Sequence, residues 1–269
     1  MKRPKPPEEN EDATDEGGKY RAPALEKGLD ILQLLSTERA PMTLSAICQR
    51  LNRSQGEIFR MVQVLQNRGF IDQDPESGGC YLTDLLFSMA MRQPATQGLI
   101  EIAIPVMRKL ATEIDQSCHL ALYSRGEIVI VARMESMEQI GFTVRVGYRR
   151  PITQVASGVT LFAFQPEDVR ARWLEMLDPT PTAAEIKKFV ATANAVAQRG
   201  YERAASSFVN GVTDLSAPII RGDRAAAALT VPYIKTKLSR EEPMPVVIEK
   251  LKEAAAKIAS QLTEGDSRV

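Results

Sequence analysis

The stretch Thr43–Phe70, TLSAICQRLNRSQGEIFRMVQVLQNRGF, decides the fold. Thr43 suits an N-cap, and Leu44, Ile47 and Leu51 follow it at helical spacing. After Asn52 and Arg53, the run Ser54-Gln55-Gly56-Glu57 has the form of a capping box, in which Glu57 reaches back to the cap residue. Ile58, Met61, Val62 and Leu65 then form the buried stripe of a second helix. Gly69 stands where a left-handed residue ends such a helix. Two short amphipathic helices joined by so tight a turn make a helix-turn-helix.

Working outward, Leu25, Leu29, Leu32 and Leu35, with Ile31 beside them, give a preceding helix that Pro41 separates from the next. On the other side, Phe70-Ile71, the polar turn Asp74–Gly79 and Cys80-Tyr81-Leu82 read as a β-hairpin. Three helices and a hairpin make a winged helix over residues 20–84. Residues 1–19 hold three Pro, two Gly and ten charged residues, and are expected to be a disordered tail. The run 84–115 reads as mostly helical with Pro94 and Pro105 as interruptions, and 85–99 is expected to be a linker helix.

From Ser117 the period changes. Leu120–Tyr123 and Ile128–Ala132 suggest a hairpin about Arg125-Gly126, and Phe142, Val144 and Val146 alternate with Thr143 and Arg145 as a half-buried strand would. Helical patterns follow at Ser157–Phe164, Glu167–Leu177 and Ala183–Gln198. Strands return at Tyr201–Ala205, Asp214–Ile220 and Ala225–Tyr233, before a last helix over Pro245–Leu262. This order predicts an α+β domain on one antiparallel sheet over residues 100–263.

Composition removes other classes. The 269 residues carry 34 Lys+Arg against 34 Asp+Glu, which excludes a chain that is basic throughout. Cys48, Cys80 and Cys118 lack metal-ligand spacing, and His119 is the single histidine, so no metal site and no cofactor are expected. There is no apolar run of 18 residues, and the segment Leu99–Met107 is interrupted by Glu101 and Pro105, so no membrane span is expected. The N-terminus lacks the apolar core of a signal peptide, and free thiols fit a reducing cytoplasm.

Reading DNA requires a helix that offers polar side chains to the major groove. Gln55, Gly56, Phe59, Arg60 and Gln63 lie opposite the buried stripe, with Thr43, Arg53 and Ser54 at the adjoining helix starts. Gln pairs with adenine, and Arg with guanine or phosphate. Between Arg50 and Arg68 four arginines face one acid, whereas residues 20–90 as a whole hold seven Lys+Arg and eight Asp+Glu. The positive charge is therefore focused on one element. The bland alternative pairs Arg60 with a neighbouring acid. One such unit reads few base pairs, so a dimer on double-stranded DNA is expected.

In the second domain, Ser157-Gly158 opens a helix whose free N–H groups could receive an anion, although on the sequence alone Ser157 reads first as a plain N-cap. Cys118 and His119 face opposite sides of a strand, so His119 reads as structural or as a pocket wall. Arg133 and Arg145 are candidates either for surface ion pairs or for an effector carboxylate.

These pieces together resemble the IclR-type transcriptional regulators. The resemblance rests on Ala24–Leu32, Ser54–Met61, Arg68–Ile71, Val146-Gly147 with Ala156-Ser157-Gly158, Arg199-Gly200-Tyr201 and Gly211–Ile219. It implies a winged helix, a linker helix, a GAF-like effector-binding domain, and dimers or tetramers. It also implies that His119, Ala156, Ser157, Gly158, Asp214, Ser216 and Thr230 surround the effector. An acidic Asp214 would accept hydrogen bonds from hydroxyls, favouring a hydroxylated or sugar-derived acid. The expected function is a ligand-responsive transcriptional regulator with no catalytic residues. The alternative is an enzyme acting in the C-terminal pocket, against which stand the missing G-x-S-x-G elbow and Walker loop.

Overall fold

The computed structural model describes residues 22–92, 94–136, 141–235 and 242–266. The expected tail, 1–19, lies outside them. The chain divides into two compact units, one ending at Arg92 and the other beginning beyond it.

In the first unit, helices α1 (Pro23–Thr37), α2 (Leu44–Leu51) and α3 (Gln55–Asn67) enclose a core of Ile31, Leu35, Ile47, Ile58, Val62 and Leu65. Thr43 caps α2 by accepting the Ala46 N–H at 3.3 Å. Asn52 turns the chain in the left-handed region, φ 51°. Glu57 closes the capping box of α3, its carboxylate accepting the Ser54 N–H at 3.3 Å and the Ser54 hydroxyl at 2.8 Å. An ion pair with Lys27 and the Ser54 bonds hold the Glu57 carboxyl down at about 2. At the other end Gly69 has φ +74°. Its N–H donates to Gln66 O, and that of Phe70 to Leu65 O, the double closure of a Schellman motif. The hairpin of β1 (Ile71–Gln73) and β2 (Cys80–Leu82) follows, and Met42 adds a bridge to Cys80. Asp74 pins its tip by accepting the N–H and hydroxyl of Ser77, each at 2.7 Å.

The stretch expected to hold one linker helix is two, α4 (Leu85–Met91) and α5 (Pro94–Ile114). Proline suits the first turn of a helix but not its middle, and Pro94 accordingly begins one. Pro105, expected to interrupt, lies inside α5. There Ala103, Val106, Met107 and Leu110 are all buried, so packing offsets the bond that proline removes.

The second unit is built on six antiparallel strands in the order β5-β4-β3-β8-β7-β6. They are β3 (Cys118–Ser124), β4 (Glu127–Met134), β5 (Arg149–Pro151), β6 (Glu202–Ala205), β7 (Val212–Arg221) and β8 (Arg224–Ile234). Helices α5 and α9 (Met244–Asp266) cover one face, packing on Leu120, Leu215, Leu229 and Val231. The other face carries α6 (Ala156–Ala163) and α8 (Ala183–Arg199), against Ala121, Ile128, Ile130 and Ala228. Between them α7 (Glu167–Glu175) brings Trp173 flat onto Tyr123, ring centroids 3.5 Å apart.

The strand expected over 142–146 is absent. The neighbouring backbone groups of β4 are committed elsewhere: Ile130 accepts from Gly147 at 2.7 Å and donates to Tyr148 O at 3.0 Å. Pairing therefore starts one turn later, at β5.

Candidate functional site

On α3, Ile58, Val62 and Leu65 turn into the core, which leaves Gln55, Gly56, Phe59, Arg60 and Gln63 exposed on the opposite face. Arg53 and Ser54 are exposed at the start of the helix, and Thr43 at the start of α2. The Arg60 guanidinium donates to Gly56 O at 3.3 Å, and no acid among the described residues pairs with it or with Arg53. Glu57 is occupied by Lys27, and Arg50 by Glu38 at 2.9 Å. Two cations thus stand unopposed beside the polar face. Gly56 has nothing within 4 Å of a built Cβ, so the surface there is open to close approach.

In the second unit a cavity of about 360 Å³ opens beneath the start of α6. Its size falls within the range of small-molecule pockets, about 300–1,000 Å³. Cross-strand pairing sets its floor: His119 of β3 lies opposite Thr230 of β8, and Thr230 opposite Ser216 of β7. Paired residues share a face, so all three point toward α6.

His119, Ala156, Ser157, Asp214 and Thr230 line the cavity. Two expected members do not. Ser216 is fully buried behind it, its hydroxyl accepting from Thr230 at 2.9 Å. Gly158 faces Ile152 instead, so its missing side chain serves packing. Ser157 is not an N-cap, since Val155 holds that position and Ser157 lies buried in the first turn.

Burial draws the His119 ring down to about 4, so it is neutral near pH 7, and its Nδ1 has no hydrogen-bond partner. Thr143 Oγ1 is likewise buried and unpartnered. Burial pushes the Asp214 carboxyl up, while a bond from Ser206 holds it partly back. Arg133 forms an ion pair with Glu135 at 2.8 Å, the bland reading. Arg145 lines the cavity, exposed and without an ion pair among the described residues.

The apolar walls were missed by sequence reasoning: Ile128, Ile130, Phe142, Val144, Val155 and Phe208. The odd and even members of 142–145 both line the cavity, and alternation alone could not show this.

A winged helix with a free polar face, carried with a ligand-sized cavity in a separate unit, defines a ligand-responsive transcriptional regulator. Comparison with known proteins agrees. The IclR helix-turn-helix domain model matches residues 24–75, and the model of the C-terminal domain of the bacterial transcriptional regulator IclR matches 93–260. The chain belongs to the IclR family of transcriptional regulators. It is 24% identical to the HTH-type transcriptional regulator KipR of Bacillus subtilis, over 88% of this chain and 95% of that one. It is 26% identical to the regulator KdgR of Escherichia coli, over 88% and 91%. Among solved structures, an IclR homologue of Microbacterium hydrocarbonoxydans complexed with 4-hydroxybenzoate superposes with a TM-score of 0.75 at 22% identity, covering 90% of this chain and 99% of that one. Pseudomonas aeruginosa HmgR gives 0.70 at 22%, covering 88% and 98%. Among the described residues no helix is long and apolar enough to cross a membrane.

Proposed function

We propose that this protein is a cytoplasmic regulator that reads an operator through α3 and answers to a small hydroxylated organic acid with an apolar, preferably aromatic, body. The observation that carries this reading is the unpartnered Nδ1 of His119 beneath apolar walls. A buried polar atom without a partner is costly, and a ligand hydroxyl would supply the missing bond. Ser157, Asp214 and Thr230 offer further bonds to hydroxyls, and Arg145 offers a cation for the carboxylate. The walls of Ile128, Ile130, Phe142 and Phe208 favour a flat apolar body over a sugar acid. The 4-hydroxybenzoate bound by the Microbacterium homologue is of this class.

A regulatory rather than catalytic role for the cavity accords with the regulators it resembles. The domains we assign are a DNA-binding head over 20–84 and an effector domain over 100–263, joined through 85–99.

A thermal-shift panel of hydroxybenzoates, aliphatic hydroxy acids and sugar acids tests the effector class. The expected result is a rise in melting temperature with the aromatic members, reduced at least about 10-fold in apparent affinity by Thr230→Val. Stabilisation by sugar acids alone would refute the assignment.

Leu25 and Leu29 on α1, and Phe87 and Met89 on α4, leave large apolar surface in water. We assign them to a second copy of the chain, because a two-fold pair of heads fits two half-sites. Titration of DNA reads this directly: two chains per site are expected, and one would refute it.

A further inference from the structure

The effector domain holds a second depression, of about 550 Å³, beside β6, one of the two edge strands of the sheet. Its walls are the turn Pro179–Pro181 and Lys188, Phe189 and Thr192 of α8. Its base includes Glu202, Ala204 and Asp214. Pairing fixes that base, since Glu202 lies opposite Ser216 and Ala204 opposite Asp214. Residues two apart on a strand share a face, so both carboxylates rise from one side of the sheet on neighbouring rungs.

Glu202 is unusual for an edge-strand acid, its side chain being only 5% exposed. Its Oε1 accepts the Arg203 N–H at 3.0 Å, but its Oε2 is buried with no hydrogen-bond partner. Arg199 forms an ion pair with Oε2 at 3.6 Å, a separation longer than a hydrogen bond. Burial pushes the carboxyl up against the opposing pull of Arg199, and Asp214 is pushed the same way. The other charged groups at the groove are Glu185 and Lys188. Glu185 is committed to the capping box of α8, its Oε2 accepting from Thr182 N at 2.8 Å and Oγ1 at 2.7 Å. The base therefore carries one carboxylate oxygen, Glu202 Oε2, that is ion-paired but makes no hydrogen bond, beside Asp214, which accepts from Ser206, under a space sized for a small molecule.

We propose that this groove is a second ligand site, adjoining the effector cavity, for small compounds bearing a primary ammonium group, which would bond to Glu202 Oε2 and reach Asp214. Val155, Ala156 and Asp214 belong to both depressions, so the two sites share one wall.

Isothermal titration of the full chain at pH 8 with butylamine and putrescine, against 1-butanol and butanoate, tests this. Saturable binding of the amines alone is expected, weakened at least about 10-fold by Glu202→Gln, the usual effect of losing one charge-assisted hydrogen bond. Thr230→Val, at a residue that lines the effector cavity and not the groove, is expected to leave amine binding unchanged. Should Glu202→Gln fold poorly, Ala204→Leu fills the base of the groove and is expected to cause the same loss. The proposal is overturned if amines bind no better than butanol, if neither groove variant weakens them, or if Thr230→Val abolishes their binding. The hydroxy-acid screen stands or falls separately, because its decisive variant lies in the other cavity.

Discussion

Replacing Gln55 and Arg60 together by alanine is expected to weaken operator binding by at least about 30-fold while leaving the melting temperature unchanged. Each good base contact is worth about 1–3 kcal/mol of discrimination, so two lost contacts amount to about 2 kcal/mol or more per head. The stability half follows from placement. Both side chains are exposed, and the one bond Arg60 makes is to the surface carbonyl of Gly56. The core side of the helix, Ile58, Val62 and Leu65, is untouched. Salt dependence separates the possible contacts of Arg60 in the single variant. If it binds phosphate, Arg60→Ala lowers the slope of log affinity on log salt by about 1; if it reads guanine, the variant relaxes preference at one position. Fluorescence anisotropy at several salt concentrations measures both. Undiminished affinity in the double variant would place the reading face elsewhere.

The second large effect is expected at Gly158, where alanine should lower stability by about 3 kcal/mol, the upper part of the overpacking range. A Cβ there would lie 2.2 Å from the carbonyl oxygen of Ile152 and 2.5 Å from its Cα. These are backbone atoms of the 3₁₀ turn Ile152–Gln154, and Ile152 itself is fully buried, so no flexible side chain can give way. For a domain of this size such a loss lowers the melting temperature by about 6–12 °C. Gly28 supplies the opposite control. It lies within α1 with nothing inside 4 Å, so Gly28→Ala is expected to stabilise by about 0.5–1 kcal/mol. Calorimetry on both variants measures the pair. An unchanged transition in Gly158→Ala would mean that the start of α6 is free to move away from the turn.

The helix-turn-helix was legible because its determinants are local. Thr43, the Ser54–Glu57 box and Gly69 each act within about one helical turn, and each does in the structure what its residue type dictates. The sheet order was not legible, because it depends on pairing between distant segments such as His119 with Thr230. Residues 142–146 misled for a physical reason: a segment lining a cavity alternates in polarity much as a half-buried strand does. Ser157 and Gly158 are adjacent, yet one faces the cavity and the other the Ile152 turn, a distinction that only packing makes. Neither the orphaned nitrogen of His119 nor the orphaned oxygens of Thr143 and Glu202 can be read from residue type, since burial is set by the whole domain.

Occupancy of the 360 Å³ cavity is expected to change how the winged helix holds DNA. Coupling of this kind is a difference between the ligand's affinities for the DNA-bound and free states, about 1–3 kcal/mol in typical cases. The direct measurement is the affinity of the full chain for a DNA fragment enriched from a random pool, with and without a saturating hydroxybenzoate from the stability screen. A shift of about 5–150-fold is expected, and it should be lost in Thr230→Val. Equal DNA affinity with the cavity full and empty would mean that effector and operator bind independently.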